Sequence, residues 1–258
     1  MQGIVTTAAS GDAAEAAELA GRCGLRCEAR AGRTLQQVLE GAAGAPVLVL
    51  AARRADLYEG GKAFRATAGM AFLRVLRARK GEPEPLLTHV QPGDQVLDAT
   101  LGLGGDALVA AAAGARVTGV EASGLLAAFT QAALRRLPGH GREPGRSVEV
   151  RNADHREFLR AQQAGSFDVV LLDPMFRRAG DAGPLFELLR AHADRAPLGP
   201  ATLREAQRVA RRGVLVKDAA PGDELRRLGL APQLSRRSAT ICFGWLPSTS
   251  SSQAPPAP

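Results

Sequence analysis

From residue 95 onward the sequence alternates short apolar segments with helix-like segments, and this alternation limits the possible folds more than any other feature. Strands are predicted over 95–99, 116–120, 148–152, 168–172, 213–217 and 239–245, and helices over 105–113, 124–137, 155–161, 203–210 and 224–228. Strands that alternate with helices favour a mostly parallel sheet covered on both faces. Because 45% of the 258 residues are apolar, the chain can bury the core that such a sheet needs. We therefore predict an α/β, Rossmann-like, doubly wound fold.

The composition divides the chain into four regions. Residues 1–60 combine strand-like and helical segments, which predicts a small α/β unit ahead of the main sheet. Residues 61–94 are a basic connector, and residues 95–246 are the doubly wound domain. The end of the chain, 247–258, reads PSTSSSQAPPAP and contains no core-forming residue, so we predict that it is disordered.

Most of the net positive charge of the chain lies between residues 53 and 80. Eight basic residues against two acidic ones give this segment a net charge of +6, where the whole chain carries +7. Its later part, GMAFLRVLRARK, has the spacing of an amphipathic helix. Because basic side chains bind phosphates, RNA is the predicted partner, through Arg65, Arg74, Arg77 and Lys80. A solvated basic face without a ligand is the alternative.

The sequence gives no indication of several classes of protein and site. No apolar run approaches the ~20 residues that span a bilayer, and the start, MQGIVTTAAS, lacks the features of a signal peptide. The three cysteines and four histidines have neither metal-ligand spacing nor the pattern of a disulfide framework. We expect a cytoplasmic protein without a metal site. Lys217, at the end of a strand, is expected to keep its amine in water.

A glycine-rich loop follows the first strand of the doubly wound region. The strand contains Asp98, and the loop TLGLGGD runs from Thr100 to Asp106 through Gly102 and Gly104. Glycines let a backbone approach a ligand closely, and ligands bind at the carboxyl ends of the strands in such sheets. The loop therefore predicts a cofactor site. Its spacing also fits the dinucleotide fingerprint, and a turn without a ligand is the remaining alternative.

Four consecutive strands each lead to an acid, namely Asp98, Glu121, Asp154 and Asp173. Because parallel strands end at one edge of the sheet, we expect these acids to meet there. Glu121 suits the two hydroxyls of a ribose, and Asp154 suits the exocyclic amine of an adenine. Acids beside the loop disfavour a pyrophosphate and favour a cation. Electrostatics thus favour S-adenosylmethionine, with its sulfonium and ammonium groups, over a nicotinamide dinucleotide.

The fourth strand continues into Asp173-Pro174-Met175-Phe176. Methyl transfer to an exocyclic amine requires the nitrogen to be aimed at the methyl group, which is mainly a matter of positioning. Asp173 offers a side-chain oxygen, Pro174 a backbone carbonyl, and Phe176 a ring that can stack on a base. The alternative is a turn that merely ends the strand, with Phe176 in the core.

In these motifs the chain resembles class I S-adenosylmethionine-dependent methyltransferases. The segments DATLGLGGDA, GVEAS and LLDPMF are similar to those of the small-subunit ribosomal RNA guanine-N2 methyltransferase J (RsmJ-like) family. The resemblance implies a seven-stranded sheet. The residues implied to bind the cofactor are Asp98, Thr100, Gly102, Gly104, Asp106, Glu121, Ala122 and Asp154. Those implied to hold the target amine are Asp173, Pro174 and Phe176.

The resemblance also implies a substrate, guanine N2 in small-subunit ribosomal RNA. The chain differs from the best-known members before the first core strand, where it has FRATAGM at 64–70 instead of a His-Arg-Arg and triple-glycine stretch. Three alternatives remain: a methyltransferase for a protein or small-molecule amine, a nicotinamide-dependent oxidoreductase, and an RNA-binding protein without catalysis. The oligomeric state is not indicated.

Overall fold

The computed structural model describes residues 2–9, 11–65, 69–137, 142–174, 183–194, 196–234 and 240–249. The strands of these residues form two sheets, one of five strands and one of seven. Helices pack against both, so the α/β class predicted from the sequence is confirmed.

The five-stranded sheet comes first in the chain, with the strand order β2-β1-β3-β4-β5. Its strands are β1 (Ile4–Thr7), β2 (Arg26–Cys27), β3 (Val47–Ala51), β4 (Arg54–Glu59) and β5 (Lys62–Arg65), and its helices are α1 (Ala13–Arg22) and α2 (Leu35–Gly41). Strand β1 runs parallel to β2 and β3, whereas β3, β4 and β5 are antiparallel neighbours.

The hairpin of β4 and β5 crosses the boundary that the sequence predicts at residue 60. Gly60 and Gly61 form its turn, with φ angles of +55° and +74°. Positive φ at both central residues is the requirement of a type I′ hairpin turn, and glycine adopts it without strain. The small sheet therefore continues to Arg65, and the basic segment begins inside a strand pair rather than in a connector.

The seven-stranded sheet has the order β11-β12-β10-β9-β6-β7-β8. Its strands are β6 (Gln95–Asp98), β7 (Arg116–Glu121), β8 (Val148–Asn152), β9 (Phe167–Leu172), β10 (Ala210–Ala219), β11 (Gln233–Leu234) and β12 (Ile241–Pro247). Strand β12 is antiparallel to β10 and β11, and the other neighbouring strands are parallel. This is the doubly wound sheet predicted from the sequence.

Helices cover both faces of the large sheet. They are α3 (Gly69–Arg79), α4 (Pro85–His89), α5 (Gly105–Ala112), α6 (Gly124–Arg135), α7 (Arg142–Arg146), α8 (His155–Ala161), α9 (Pro184–His192), α10 (Pro200–Val209) and α11 (Asp223–Arg227). Successive residues of β6 point to opposite faces, so Val96 belongs to one apolar core and Leu97 to another. The two cores therefore pack on opposite faces of the large sheet.

Two sequence expectations are wrong in part. The Gly/Pro/Arg-rich sequence of 138–146 predicts a loop between the helix over 124–137 and the strand over 148–152, but residues 142–146 form α7, and 138–141 lie outside the described residues. Disorder predicted from residue 247 does not apply to its first residues, because Pro247 ends β12 and the backbone N–H of the buried Ser248 donates to the Arg212 carbonyl at 2.8 Å. Residues 250–258 lie outside the description.

Candidate active site

Hydrogen bonds link three of the four predicted acids through the loop that follows β6. Asp98 ends β6, Glu121 ends β7, and Asp173 follows β9. The Gly102 N–H donates to Glu121 Oε2 at 3.0 Å, and the Asp173 N–H donates to Thr100 Oγ1 at 2.6 Å. The loop is therefore attached to the strands on both sides of β6, and these acids share one edge of the sheet as the sequence predicts.

The glycine loop adopts a backbone that few other residues tolerate. Gly102 and Gly104 have φ angles of +51° and +73°, and Gly104 is the N-cap of α5. The Thr130 hydroxyl donates to the Gly102 carbonyl at 2.7 Å, and a Cβ on Gly104 would lie 3.2 Å from Thr130 Cγ2. The loop is thus held close to α6 in one conformation.

Glu121 is buried beside this loop, with only 6% of its surface exposed. Its second oxygen accepts from the Ser123 N–H at 2.8 Å. Burial raises the pKa of Glu121, and the backbone hydrogen bonds offset part of that rise. The next residue, Ala122, accepts at its carbonyl from Asn152 Nδ2 at 3.0 Å, which joins the end of β7 to β8.

Asp154, the fourth predicted acid, has a partner of its own. It is the N-cap of α8 and accepts from the Arg156 N–H at 2.7 Å and from Arg156 Nε at 2.9 Å. The hydrogen bond from the Arg156 side chain holds the pKa of Asp154 below its usual range. Asp154 lies at the end of β8 as expected, but its carboxylate is engaged by the arginine.

Asp98 is the most deeply buried of the four acids, at 2% exposure. It accepts one backbone hydrogen bond, from the Thr100 N–H at 3.2 Å, and no cation of the described residues is hydrogen-bonded to it. Burial, with added repulsion from Asp106 and Asp173, raises the pKa of Asp98 to about 8. Asp98 is therefore mostly protonated at neutral pH, and a cation placed beside it would favour its ionised form.

Five residues of alternating charge, the charge chain, lead from helix α3 to the acceptor motif: Glu84, Arg74, Asp106, Lys217 and Asp173. Arg74 donates to both oxygens of Glu84, at 3.0 and 2.7 Å, and to Asp106. The Lys217 amine donates to Asp106 Oδ2 at 2.9 Å and to Asp173 Oδ2 at 2.5 Å.

Burial and pairing act against each other along the charge chain. Burial alone would raise the pKa of Asp106, but Lys217 and Arg74 outweigh it and hold that pKa below its usual range. Burial raises the pKa of Asp173, and Lys217 offsets part of the rise. Burial would lower the pKa of Lys217, but the two carboxylates raise it well above its usual value.

Two sequence expectations are corrected by the charge chain. The Lys217 side chain is 15% exposed and its amine lies between two carboxylates, not in water. Arg74 is 22% exposed with its guanidinium turned to Glu84 and Asp106, so it does not lie on the solvated face where it was expected to bind phosphate.

The acceptor motif is described only in its first half. Asp173 is fixed at its N–H by Thr100 and at its carboxylate by Lys217, and Pro174 follows it. Met175 and Phe176 lie outside the described residues, so the stacking role of Phe176 stays a prediction.

The other predicted phosphate ligands are exposed. Arg65 is 58% exposed and pairs with Asp56 at 2.6 Å. Arg77 is 44% exposed, and its ion pair with Glu82 is long, at 3.9 Å. Lys80, just past the end of α3, is exposed as well.

Lys217 and Arg74 are the residues whose place in the site sequence reasoning missed. For Lys217 a signal was available, because a lysine ends the apolar segment VLV of a strand at the carboxyl edge. The register that pairs Val216 with Leu172 brings it next to Asp173. For Arg74 the helical pattern gave no such signal, since its partner Asp106 belongs to another helix.

Other candidate sites were sought in the described residues. A cavity of about 190 Å³, lined in part by Arg22, Arg135 and Arg146, lies at Val148, the first residue of β8, and so at the opposite end of that strand from Asp154. No group of three or more His, Cys, Asp or Glu side chains in the described ranges is arranged to hold a metal ion. None of the helices described is long and apolar enough to cross a membrane.

Comparison with known proteins adds a family. A model of the family described as "Putative SAM-dependent methyltransferase" matches residues 56–183, which include the glycine loop and the acceptor motif. A Bacillus subtilis relative, "Uncharacterized protein YpiP", is 31% identical over 212 residues, covering 77% of this chain and 80% of YpiP.

Two relatives carry the name "Ribosomal RNA small subunit methyltransferase J". The one from Halorhodospira halophila is 40% identical over 136 residues, which cover 50% of this chain and 51% of the relative. The one from Laribacter hongkongensis is 48% identical over 88 residues, 33% of this chain and 31% of the relative. The chain thus aligns with about half of the first and a third of the second.

The fold has a counterpart among solved structures. The SAM-dependent methyltransferase NGO1261 from Neisseria gonorrhoeae superposes with a TM-score of 0.61 at 18% identity, over 95% of this chain and 96% of that one. This likeness supports the fold alone.

Proposed function

Because this chain belongs to the S-adenosylmethionine-dependent methyltransferase family, we propose that it methylates an exocyclic amine of RNA, with guanine N2 of small-subunit ribosomal RNA as the first candidate. The relatives named ribosomal RNA small subunit methyltransferase J support this choice of substrate. The cofactor is S-adenosylmethionine, so the nicotinamide-dependent alternative no longer applies.

The observation that carries the proposal is the attachment of the acceptor motif to the glycine loop. The Asp173 N–H is bonded to Thr100 Oγ1 at 2.6 Å, so Asp173 and Pro174 begin where the loop of the cofactor site begins. Transfer from sulfur to nitrogen is an in-line displacement that needs donor and acceptor held in contact. The hydrogen bond between Thr100 and Asp173 holds the glycine loop and the acceptor motif together, which meets that requirement.

The residues at the carboxyl edge fit the cofactor chemically. Bound there, S-adenosylmethionine supplies a methyl group on a cationic sulfur. We assign the positive methionine end to Asp98, the buried acid to which no described cation is hydrogen-bonded, and the ribose to Glu121, beside the loop. Gly102 and Gly104 let the backbone approach the ligand, and Thr100, Asp106 and Ala122 shape the same edge.

Asp154 remains the candidate for the adenine amine. It needs to share its carboxylate with Arg156, which already donates to it. Because 28% of its side chain is exposed, part of the carboxylate is open to a second donor.

For the acceptor, Asp173 and the Pro174 carbonyl accept the two N–H bonds of the target amine, and Phe176 stacks on its base. The nitrogen lone pair then points at the methyl carbon. With S-adenosylmethionine bound, the methyl group would pass from sulfur to this nitrogen, the electron pair of the C–S bond would stay on sulfur, and the amine would lose one proton to water. The exposed cations Arg65, Arg77 and Lys80 contact the RNA backbone.

Labelled methyl transfer tests the proposal. Purified protein is incubated with tritiated S-adenosylmethionine and either free small-subunit RNA or intact small subunits, both from a strain lacking the gene. We expect label in one nucleoside, N2-methylguanosine, and none when the subunits come from the parent strain, whose site is already methylated.

Asp173→Ala is the matched control. It removes the acceptor oxygen, so transfer should vanish while calorimetry still gives a cofactor affinity within a few-fold of that of the unaltered protein. Label that enters protein or a small molecule instead of RNA would contradict the proposed substrate and favour the non-RNA amine.

A further inference from the structure

We propose that Lys217 is a positioning residue for methyl transfer, which holds the Asp173 carboxylate in the orientation that accepts the target amine. Lys217 lies in β10, which β9 separates from β6 and its glycine loop, and nothing in the acceptor motif itself points to it. The inference rests on the proposed transfer to an amine.

The contacts of Asp173 leave one oxygen for a ligand. Its Oδ2 accepts from the Lys217 amine at 2.5 Å, and its backbone N–H is held by Thr100 at 2.6 Å. The Asp173 side chain is 30% exposed, against 7% for Asp106. Asp173 is therefore the most exposed acid of the charge chain and is fixed at two points. No donor among the described residues is hydrogen-bonded to its Oδ1, which can accept an N–H bond.

Lys217 is itself held from the other side. Its amine also donates to Asp106 Oδ2 at 2.9 Å. Asp106 in turn accepts from Arg74, and Arg74 also donates to both carboxylate oxygens of Glu84. The three inner members of the charge chain each have an opposite charge on either side, so the Lys217 amine has little freedom to move. A rigid cation is what a carboxylate needs in order to keep one rotamer as substrate enters and leaves.

A proton-transfer role for Lys217 does not fit these surroundings. Two carboxylates within hydrogen-bond distance favour its charged form, so the amine has no lone pair to offer as a base. Its contribution is charge and geometry. The charged groups that face Asp173 are Lys217 from β10, Asp106 from α5, Arg74 from α3 and Asp98 from β6.

The test compares Lys217→Met, which keeps the length of the stem without charge, with Lys217→Arg, which keeps the charge. Single-turnover transfer is measured from pH 5.5 to 9 on the RNA that the unaltered protein methylates. Lys217→Met should lower the rate on the order of 100-fold, as expected for a misplaced acceptor group. Its cofactor affinity should stay within a few-fold.

The pH profile separates positioning from packing. Without the cation, Asp173 takes up a proton more readily, so the acidic limb of the Lys217→Met profile should move up by about one pH unit or more. Lys217→Arg should return the limb to its original pH and recover part of the rate. Arg212→Met is the matched control, because Arg212 pairs with Asp94 from the opposite end of β10, and it should leave both limb and rate unchanged.

An unchanged rate in Lys217→Met would overturn the inference. The inference would also be overturned if Lys217→Met and Lys217→Arg were both slow and the acidic limb of the pH profile did not move. If the unaltered protein methylates no RNA, the proposed function fails instead. The carboxyl ¹³C shift of Asp173, titrated in the unaltered protein and in Lys217→Met, then decides the role of Lys217 without substrate. Equal midpoints in that titration would also overturn it.

Discussion

Asp98 lies close to two acids, Asp106 and Asp173, that are paired with two cations, Arg74 and Lys217. Asp106 and Asp173 are paired with Lys217, and Arg74 is also paired with Asp106, whereas the one donor to Asp98 among the described residues is the Thr100 N–H. With its pKa raised to about 8, Asp98 is mostly protonated in the free protein at neutral pH. A bound cation favours the ionised form, so under the proposed assignment of Asp98 to the positive end of the cofactor, binding should release this proton.

The affinity for S-adenosylmethionine should therefore depend on pH. Below pH 8 the binding constant should rise about tenfold per pH unit, because one proton is lost on binding, and it should level off as Asp98 ionises in the free protein. Calorimetry in buffers of different ionisation enthalpy, between pH 6 and pH 9, measures both the affinity and the released proton.

Asp98→Asn is the control for this prediction. The α-amino group of the cofactor titrates in the same range, at about 7.7–8.0 for an ordinary α-amine, and it does so equally for both proteins. The difference between the two curves isolates Asp98. Parallel curves for the variant and the unaltered protein would contradict the assignment of Asp98 to the positive end of the cofactor.

Helix α3 has one basic side chain that lies in the charge chain and another that is exposed to solvent. Arg74 points inward to the charge chain, whereas Arg77, with Lys80 just beyond the helix, is exposed to solvent. Leu73 and Leu76 are exposed with them, at 38% and 41%. Charge substitutions on one helix should therefore produce two distinct defects.

Arg77→Glu with Lys80→Glu should weaken RNA binding and lower the slope of log affinity against log salt by about 2, one for each lost phosphate contact. Cofactor affinity should not change. Filter binding at several salt concentrations measures the slope. The matched control reverses two exposed arginines of other helices, Arg204 of α10 and Arg226 of α11, and an equal loss there would reduce the effect to net charge.

Arg74→Met should show the other defect. It frees Asp106 from its arginine without changing the exposed face, so the salt slope of RNA binding should stay as it is while methyl transfer falls.

The local sequence pattern predicts those strands and helices whose own residues show apolar alternation or a helix cap. The strand over 148–152 and the helix over 155–161 agree with β8 and α8, because apolar alternation and an Asp cap mark them. Strands β4 and β5 were missed since charged residues hide their alternation, although Gly60-Gly61 is a hairpin signal.

The site divides in the same way. The four acids were predictable, because each follows a recognisable strand and parallel strands end together. The partners of those acids were not. The pairing of Lys217 with Asp106 joins residues 111 positions apart, and it depends on how α5 packs against the sheet.

The two sheets of the molecule share one apolar core. It contains Val5 and Leu57 from the small sheet together with Leu125 and Phe129 from α6 of the large one. The backbones also approach closely, since a Cβ on Gly124 would lie 2.1 Å from the Cys23 carbonyl oxygen. We expect the two sheets to unfold together, because neither can keep its core without the other.

Arg136 is one of the polar links between them, together with Arg22, and Arg136→Met should test the coupling. Its side chain is 7% exposed and donates to the Ala51 carbonyl at 2.7 Å and to Glu15, so its loss should cost about 2–3 kcal/mol of unfolding free energy, less than a fully buried pair because Glu15 is partly exposed. Arg135→Met, at the neighbouring exposed residue, should cost below about 0.5 kcal/mol.

The single tyrosine and single tryptophan report on different sheets, Tyr58 in β4 and Trp245 in β12. In denaturant both signals should move together to a lower midpoint in Arg136→Met, whereas a shift of the Tyr58 transition alone would mean that the sheets unfold independently.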